Sequence, residues 1–427
     1  MLRRVGFSLI DLMRGTTSVE LLRQLESIQF ESAMALQQRQ KQLLDDYFDA
    51  IRTALPLYAG YRSFQELPII DKDFANRNRD QLTNSHYLGR RVRKKTGGST
   101  GEPLVFYTGT QSQSYLWAGV LLSWCAAGYR LGEPVAFLAG LSLFGTGFKE
   151  NAYYKLMNVK LFSAFELSDA CLQAYAKEIS SGGFRLIYGY AGAIYRLAQH
   201  VIASPARPRF VLRGVVCTAE VLTPMMRQVI ETAFDAPCFN QYGCHDAGVS
   251  AYECERRQGL HLITTRCYHE VLEGGKLIST DLSNRVFFLA RYDTGDLVVM
   301  KDKPCPCGRG FPLIGEVTGR SNDLVSDPEG NGVHFMFFNY LFREDSRISS
   351  FQVLYDCHKL VINIHCRKTG NDWSSYLEQT RSSLKFNQIT FVENSSFILS
   401  ARGKHRFVVR VDDVDAVLAG TEGNINT

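Results

Sequence analysis

The segment Lys94-Lys95-Thr96-Gly97-Gly98-Ser99-Thr100-Gly101-Glu102-Pro103 gathers two ammonium groups, three hydroxyls and three glycines within ten residues. Glycines admit positive φ and a close approach of backbone to ligand. Consecutive N–H groups in such a turn form an anion-binding concavity. The chemistry suits a polyphosphate; the plainer reading is a Gly/Ser turn between two strands. No Gly-Lys-Ser/Thr follows at the Walker A spacing.

Four further segments bear on that choice: Cys217-Thr218-Ala219-Glu220, Asn240-Gln241-Tyr242-Gly243-Cys244-His245-Asp246, Tyr292-Asp293-Thr294-Gly295-Asp296, and Thr318-Gly319-Arg320-Ser321-Asn322-Asp323. Each alone is ordinary loop chemistry. A second constellation lies between them. Cys254 and His261 flank a short polar loop, and Pro304-Cys305-Pro306-Cys307-Gly308-Arg309 presents two thiols on a tight turn. Cys254, His261, Cys305 and Cys307 make a Cys₃His set suited to tetrahedral structural zinc. The alternative is three unrelated reduced thiols and a surface histidine. Within the zinc reading, Cys267 and His269 are the spare candidates for a ligand position. Cys244 sits in the Tyr-Gly motif.

In this order the motifs resemble the adenylate-forming superfamily, and most closely its phenylacetate–CoA ligase-like branch, which includes proteins found with capsular and exopolysaccharide genes. The resemblance runs from about Leu36 to Phe407. The branch shows the same Tyr-Glu-Cys, Gly-Leu-His and Cys-x-Cys-Gly-Arg pattern. The resemblance implies that Thr96, Gly97, Gly98, Ser99, Thr100 and Gly101 cradle the ATP phosphates. It implies that Ala219 and Glu220 border the adenine and that Tyr242, followed by Gly243, stacks on it. Asp296 would accept from the ribose hydroxyls, as an ionised carboxylate can, with Arg320 close to the ribose and phosphates. Lys404, in Ser400-Ala-Arg-Gly-Lys-His-Arg-Phe, is the candidate catalytic lysine, and Asn322 or Asp323 the hinge.

Where many relatives carry Tyr-Gly-x-Thr-Glu, this chain has His245 and Asp246. Asp246 can replace the glutamate as a magnesium ligand but is one methylene shorter. His245 replaces a hydroxyl facing the α-phosphate. The implied activity is ATP-dependent conversion of a small carboxylic acid to an acyl-adenylate with release of pyrophosphate, then transfer to coenzyme A. One alternative passes the acyl group to a carrier protein, an amine or a sugar. Another is a zinc-stabilised nucleotide-binding scaffold whose chemistry is lost at His245 and Asp246.

The elements that must position these groups are legible from periodicity. Residues 17–55 repeat apolar side chains near every 3.6 positions, and Val5, Leu9, Leu12 and Met13 suggest a preceding helix lying on the protein by that face. Peripheral membrane contact is the second reading of that helix. Buried strands at Leu104–Tyr107, Pro134–Leu141, Arg185–Tyr188 and Val211–Cys217 alternate with helices at Tyr115–Tyr129 and Pro224–Phe234, which argues α/β with largely parallel sheet. Ser63-x-x-Glu66 and Asp71 read as helix caps. Texture changes beyond Gly319. The expectation is therefore a large N-terminal α/β adenylation domain, 1–321, and a small α+β C-terminal lid, 322–427. The acyl pocket is expected near Phe137–Gly147 and Tyr188–Tyr195.

A chain of 427 residues, 45% hydrophobic, can bury a sizeable core. Its net charge of +5 is spread along the sequence and gives no footprint for nucleic acid. Eleven cysteines, several in apolar stretches, suit a reducing cytoplasm rather than a disulfide framework. No apolar run is long enough to span a bilayer. The expected assembly is a monomer or a homodimer.

Overall fold

The computed structural model describes residues 5–96, 104–139, 153–164, 167–320, 324–329, 332–334, 336–342, 345, 347–366, 368–394, 396–398 and 406–419. Two compact units divide the chain, one comprising almost all residues to Val317 and the other chiefly Thr318–Thr427.

The first unit opens with helices α1 (Val5–Arg14), α2 (Ser18–Ile28) and α3 (Ala33–Ala54). The phase of α1 differs from expectation. Phe7 and Ile10 are buried, whereas Leu12 and Met13 are 80% and 69% exposed. A polar residue sets that phase: Asp11 is buried because its carboxylate accepts from the Thr16 hydroxyl at 2.6 Å and the Val19 N–H at 2.9 Å. The long helical stretch also breaks, and Ser32 caps α3 by accepting from the Ala35 N–H. Asp71 caps α4 (Lys72–Arg77). Ser63 makes no side-chain cap; Glu66 instead accepts from the Arg62 N–H.

After α5 (Arg79–Leu82), β1 (Val92–Lys95) and β2 (Val105–Thr108) form an antiparallel hairpin, followed by α6 (Thr110–Ala126). An eleven-stranded sheet carries the rest. Its parallel half comprises β3 (Val135–Ala139), β4 (Val159–Ser163), β5 (Leu186–Tyr190), β6 (Gly214–Thr218) and β7 (Cys238–Cys244). Helices α7 (Asp169–Ser181), α8 (Ala191–Ala203) and α9 (Pro224–Phe234) alternate with these strands. Period-two alternation fills two layers. Tyr188, Val216 and Phe239 pack with α6 and α2, while Ile187, Val215 and Cys238 pack with α7, α8 and α9.

The sheet is parallel only to β7. Strands β8 (Val249–Glu253), β9 (Leu260–Leu262), β10 (Cys267–Val271), β11 (Lys276–Asp281), β12 (Tyr292–Lys301) and β13 (Leu313–Arg320) extend it in the order β8-β9-β13-β12-β11-β10. Every register resolved in that half is antiparallel. The connections in this half are too brief for a crossover helix, which favours antiparallel pairing. This half buries Leu44, Tyr47, Phe48 and Ile51 of α3 against Val249, Leu262 and Leu277.

The second unit is α+β. Besides β14 (Leu324–Ser326) and β15 (Gly332–His334), it has β16 (Ile348–Tyr355), β17 (Lys359–Cys366), β18 (Gln388–Glu393) and β19 (Val408–Arg410) in the order β18-β17-β16-β19. Its helices are α10 (Met336–Phe342), α11 (Ser374–Ser383) and α12 (Val414–Leu418). Leu354, Val361, Val409 and Val414 form part of its core.

Candidate functional site

The C-terminal end of β7 brings together residues far apart in sequence. The Tyr242 hydroxyl donates to Asp296 Oδ2 at 2.6 Å, across 54 positions of chain. The turn presenting Asp296 is built by its own side chains. Asp293 accepts from the Gly295 N–H and pairs with Lys276 at 2.9 Å. Thr294 donates to the Leu277 carbonyl and accepts from the Asp296 N–H. Gly295 supplies the positive φ, +72°, that an L side chain resists.

Register along β7 is locked by Glu253 of β8. Its buried carboxylate accepts from Arg227 Nη2 at 2.9 and 3.0 Å and from the Asn240 N–H at 2.7 Å, two residues before Tyr242. Truncation would leave Arg227 an unpaired, largely buried charge. Glu253→Ala is therefore expected to cost about 3 kcal/mol, read as a lower denaturant midpoint at unchanged slope; an unchanged midpoint would remove this pair from the account.

Thr96 and Leu104 clamp the neck of the glycine loop. Thr96 N–H donates to the Leu104 carbonyl and Thr96 Oγ1 accepts from the Leu104 N–H, both at 2.9 Å. Gly97, Gly98, Ser99, Thr100, Gly101 and Lys404 lie outside the described residues, as does the Arg320 side chain. Ala219 turns the chain out of β6 with φ +67°, a strained value for a residue with a β-carbon. Glu220 accepts from the Gly192 N–H at 2.7 Å, placing its charge at the N-terminus of α8.

His245 packs edge-on against Phe106, ring centroids 5.6 Å apart. Burial, with the charges of Arg266 and Lys94, lowers its pKa to about 3, so the imidazole is neutral at physiological pH. Lys94 is itself lowered by burial and by Arg14. Asp246 is buried and accepts from the Cys244 thiol at 3.0 Å. Tyr188 packs on Phe137 at 4.6 Å between centroids and on Trp124, and both Tyr188 and Phe137 are buried. Residues 140–147 of the expected acyl pocket lie outside the described residues.

The second cluster is compact. The ligand atoms of Cys254, His261, Cys305 and Cys307 lie within 4.8 Å of one another. Cys254 Sγ is 3.7 Å from Cys305 Sγ, and Cys307 Sγ is 3.4 Å from His261 Nε2. Tetrahedral zinc with bonds of about 2.3 Å to sulfur and about 2.0–2.1 Å to nitrogen requires edges of about 3.8 and 3.6 Å. The residues fit the ion. Burial and Arg309 lower the His261 pKa to about 4, leaving a neutral ring able to ligate. Burial opposes ionisation of Cys307, yet the Arg309 N–H and guanidinium hold its pKa below the usual thiol range. Cys267 and His269 lie outside this cluster, and none of the eleven cysteines forms a disulfide.

Sequence reasoning missed Arg266, Gln29 and the clamp role of Thr96. Neither Arg266 nor Gln29 stands in a motif. Gln29 accepts at one oxygen from the Tyr252 hydroxyl and Arg309 Nε, and its carbonyl accepts from the Gly310 N–H, tying the α2–α3 junction to the Cys305–Cys307 loop.

No family model matches the chain. It is 24% identical over 346 residues to Protein CapK of Staphylococcus aureus, spanning 78% of this chain and 76% of that one. It is 26% identical over 336 residues to the phenylacetate-coenzyme A ligase of Thermus thermophilus, spanning 71% and 73%. Among solved structures, 2-hydroxyisobutyryl-CoA ligase in its postadenylation state, bound to R3-HIB-AMP, superposes with a TM-score of 0.69 at 16% identity, covering 90% of each chain. ATP-bound MatB from Rhodopseudomonas palustris gives 0.52 at 15%, covering 73% of this chain and 66% of that one. Among the described residues, no helix is long and apolar enough to cross a membrane.

Proposed function

We propose that this chain, which belongs to the adenylate-forming superfamily and has its fold, is an AMP-forming carboxylate–CoA ligase. It activates a small carboxylic acid with ATP to an acyl-adenylate, releases pyrophosphate, and passes the acyl group to coenzyme A. The observation that carries this reading is the meeting of Tyr242 and Asp296 at 2.6 Å, in a chain 26% identical to a phenylacetate-coenzyme A ligase.

In this reading the Tyr242 ring stacks on adenine while its hydroxyl fixes Asp296, whose carboxylate accepts from the ribose. Ala219 borders the base, and Glu220 braces that turn against α8. Gly97–Gly101 grip the phosphates, in the segment between Thr96 and Leu104. Arg320 neutralises phosphate charge, and Asp246 would hold magnesium. Lys404 serves the first half-reaction from the small domain, 322–427, which rotates between the two steps. Cys254, His261, Cys305 and Cys307 would hold one structural zinc, which would supply rigidity rather than catalysis.

The test is carboxylate-dependent ATP–pyrophosphate exchange across aryl, fatty and hydroxy acids, followed by thioester formation with coenzyme A. Exchange and thioester formation with at least one acid are expected. ATP binding without exchange would favour the nucleotide-binding scaffold. Exchange without thioester would move the acyl group to a carrier protein, amine or sugar.

A further inference from the structure

Arg266 precedes β10 and is wholly buried. Its Nη1 donates to the Ser250 hydroxyl. Helix α6 crosses that serine so closely that a β-carbon on Gly119 would stand 2.9 Å from Ser250 Oγ. Nε and Nη2 of Arg266 are buried without a partner. Asp281 is near enough to offset part of the charge, but its oxygens accept from the Ser112 hydroxyl at 3.0 Å and the Ser283 N–H at 2.9 Å. No hydrogen bond joins it to the arginine.

Arg266 lies near the proposed reaction centre, its charge bearing on His245. Ser250 pairs with Gly243 across β7 and β8, and His245 stands two residues further along. The His245 ring meets Phe106, and Lys94 lies opposite Phe106 in the β1–β2 register, so both side chains leave the hairpin on one face. His245 Nε2 is likewise buried and unpartnered. Leaving such groups unmade in a protein interior is costly, and a ligand oxygen would satisfy them. A methyl or aryl group would leave them orphaned.

We infer that Arg266, with His245 Nε2 beside it, is a specificity seat for a second oxygen function on the substrate: the activated acid is a short hydroxy, oxo or dicarboxylic acid rather than a fatty or aryl one. The inference rests on the acid-activating reading above. Partial compensation by Asp281 makes a neutral hydroxyl or oxo oxygen as acceptable as a second carboxylate. A neutral imidazole accepts from a hydroxyl or, as the other tautomer, donates to an oxo group.

The experiment compares lactate, pyruvate, malonate and succinate with hexanoate and phenylacetate in ATP–pyrophosphate exchange. At least one polar acid is expected to exceed both apolar acids in kcat/KM by about tenfold or more, because a site built to bond an oxygen rejects analogues lacking it. Arg266→Lys is expected to raise KM for that acid by about tenfold while KM for ATP stays within about twofold. Arg266→Met should raise it further, with melting temperatures recorded for both variants. Preference for hexanoate or phenylacetate, or an unchanged acid KM in a folded Arg266→Lys protein, overturns the seat. Absence of exchange with every acid overturns acid activation instead. The seat is then read from melting temperature with AMP plus each acid. A rise with polar acids that is lost in Arg266→Lys upholds it, and no rise with any acid overturns it.

Discussion

Replacing Lys404 by alanine is expected to lower acyl-adenylate formation by about 10²–10³-fold while leaving thioester formation from supplied acyl-adenylate within about twofold. The asymmetry follows from where charge develops. As a carboxylate attacks the α-phosphate, negative charge grows on the phosphoryl oxygens and the departing pyrophosphate. A compact ammonium aimed there stabilises the transition state more than the ground state. In the second half-reaction a thiol attacks an acyl carbon, and AMP leaves without that demand on the lysine. Pyrophosphate exchange reads the first step, and thioester release from synthetic adenylate reads the second. Equal loss in both would show that Lys404 acts through folding or domain closure, and its chemical role would fall.

The fold and the two clusters were legible to different degrees, for physical reasons. Buried strands such as Leu186–Tyr190 and Gly214–Thr218 announce themselves because both faces are covered. The apolar residues alone give α1 the wrong phase. Asp11, a polar residue, turns inward to satisfy the Thr16 hydroxyl and the Val19 N–H, and carries Phe7 and Ile10 with it. The switch to antiparallel pairing after β7 was also missed, since strand direction depends on connection length more than on composition. The Cys₃His set was visible because thiols and imidazoles on tight turns are rare enough to count. Arg266 is not: a lone arginine reads as surface charge, and only the packing of α6 on Ser250 shows it buried.

Removing the proposed zinc is expected to loosen the N-terminal helices as well as the cysteine loops. Purified protein should carry about one zinc per chain, and Cys305→Ser should lower both metal content and melting temperature. Without the ion, Cys254 and Cys305 are left as buried thiols 3.7 Å apart, and Cys307 loses the cation that best stabilises a thiolate. The loop then forfeits the geometry that orients Arg309. That arginine donates to Gln29 at 2.8 Å and to Glu255 at 2.9 Å, and the adjacent Gly310 N–H bonds the Gln29 carbonyl. Because Gln29 closes α2 at its junction with α3, amide exchange over residues 18–54 should quicken on chelation, a local opening rather than global unfolding. Cys357→Ser, which changes an exposed thiol, is the control and should alter neither metal content nor exchange. A wild type that is metal-free as isolated and equally stable would eliminate the zinc. Full metal loss with unchanged exchange in 18–54 would keep the ion but sever its link to the helices.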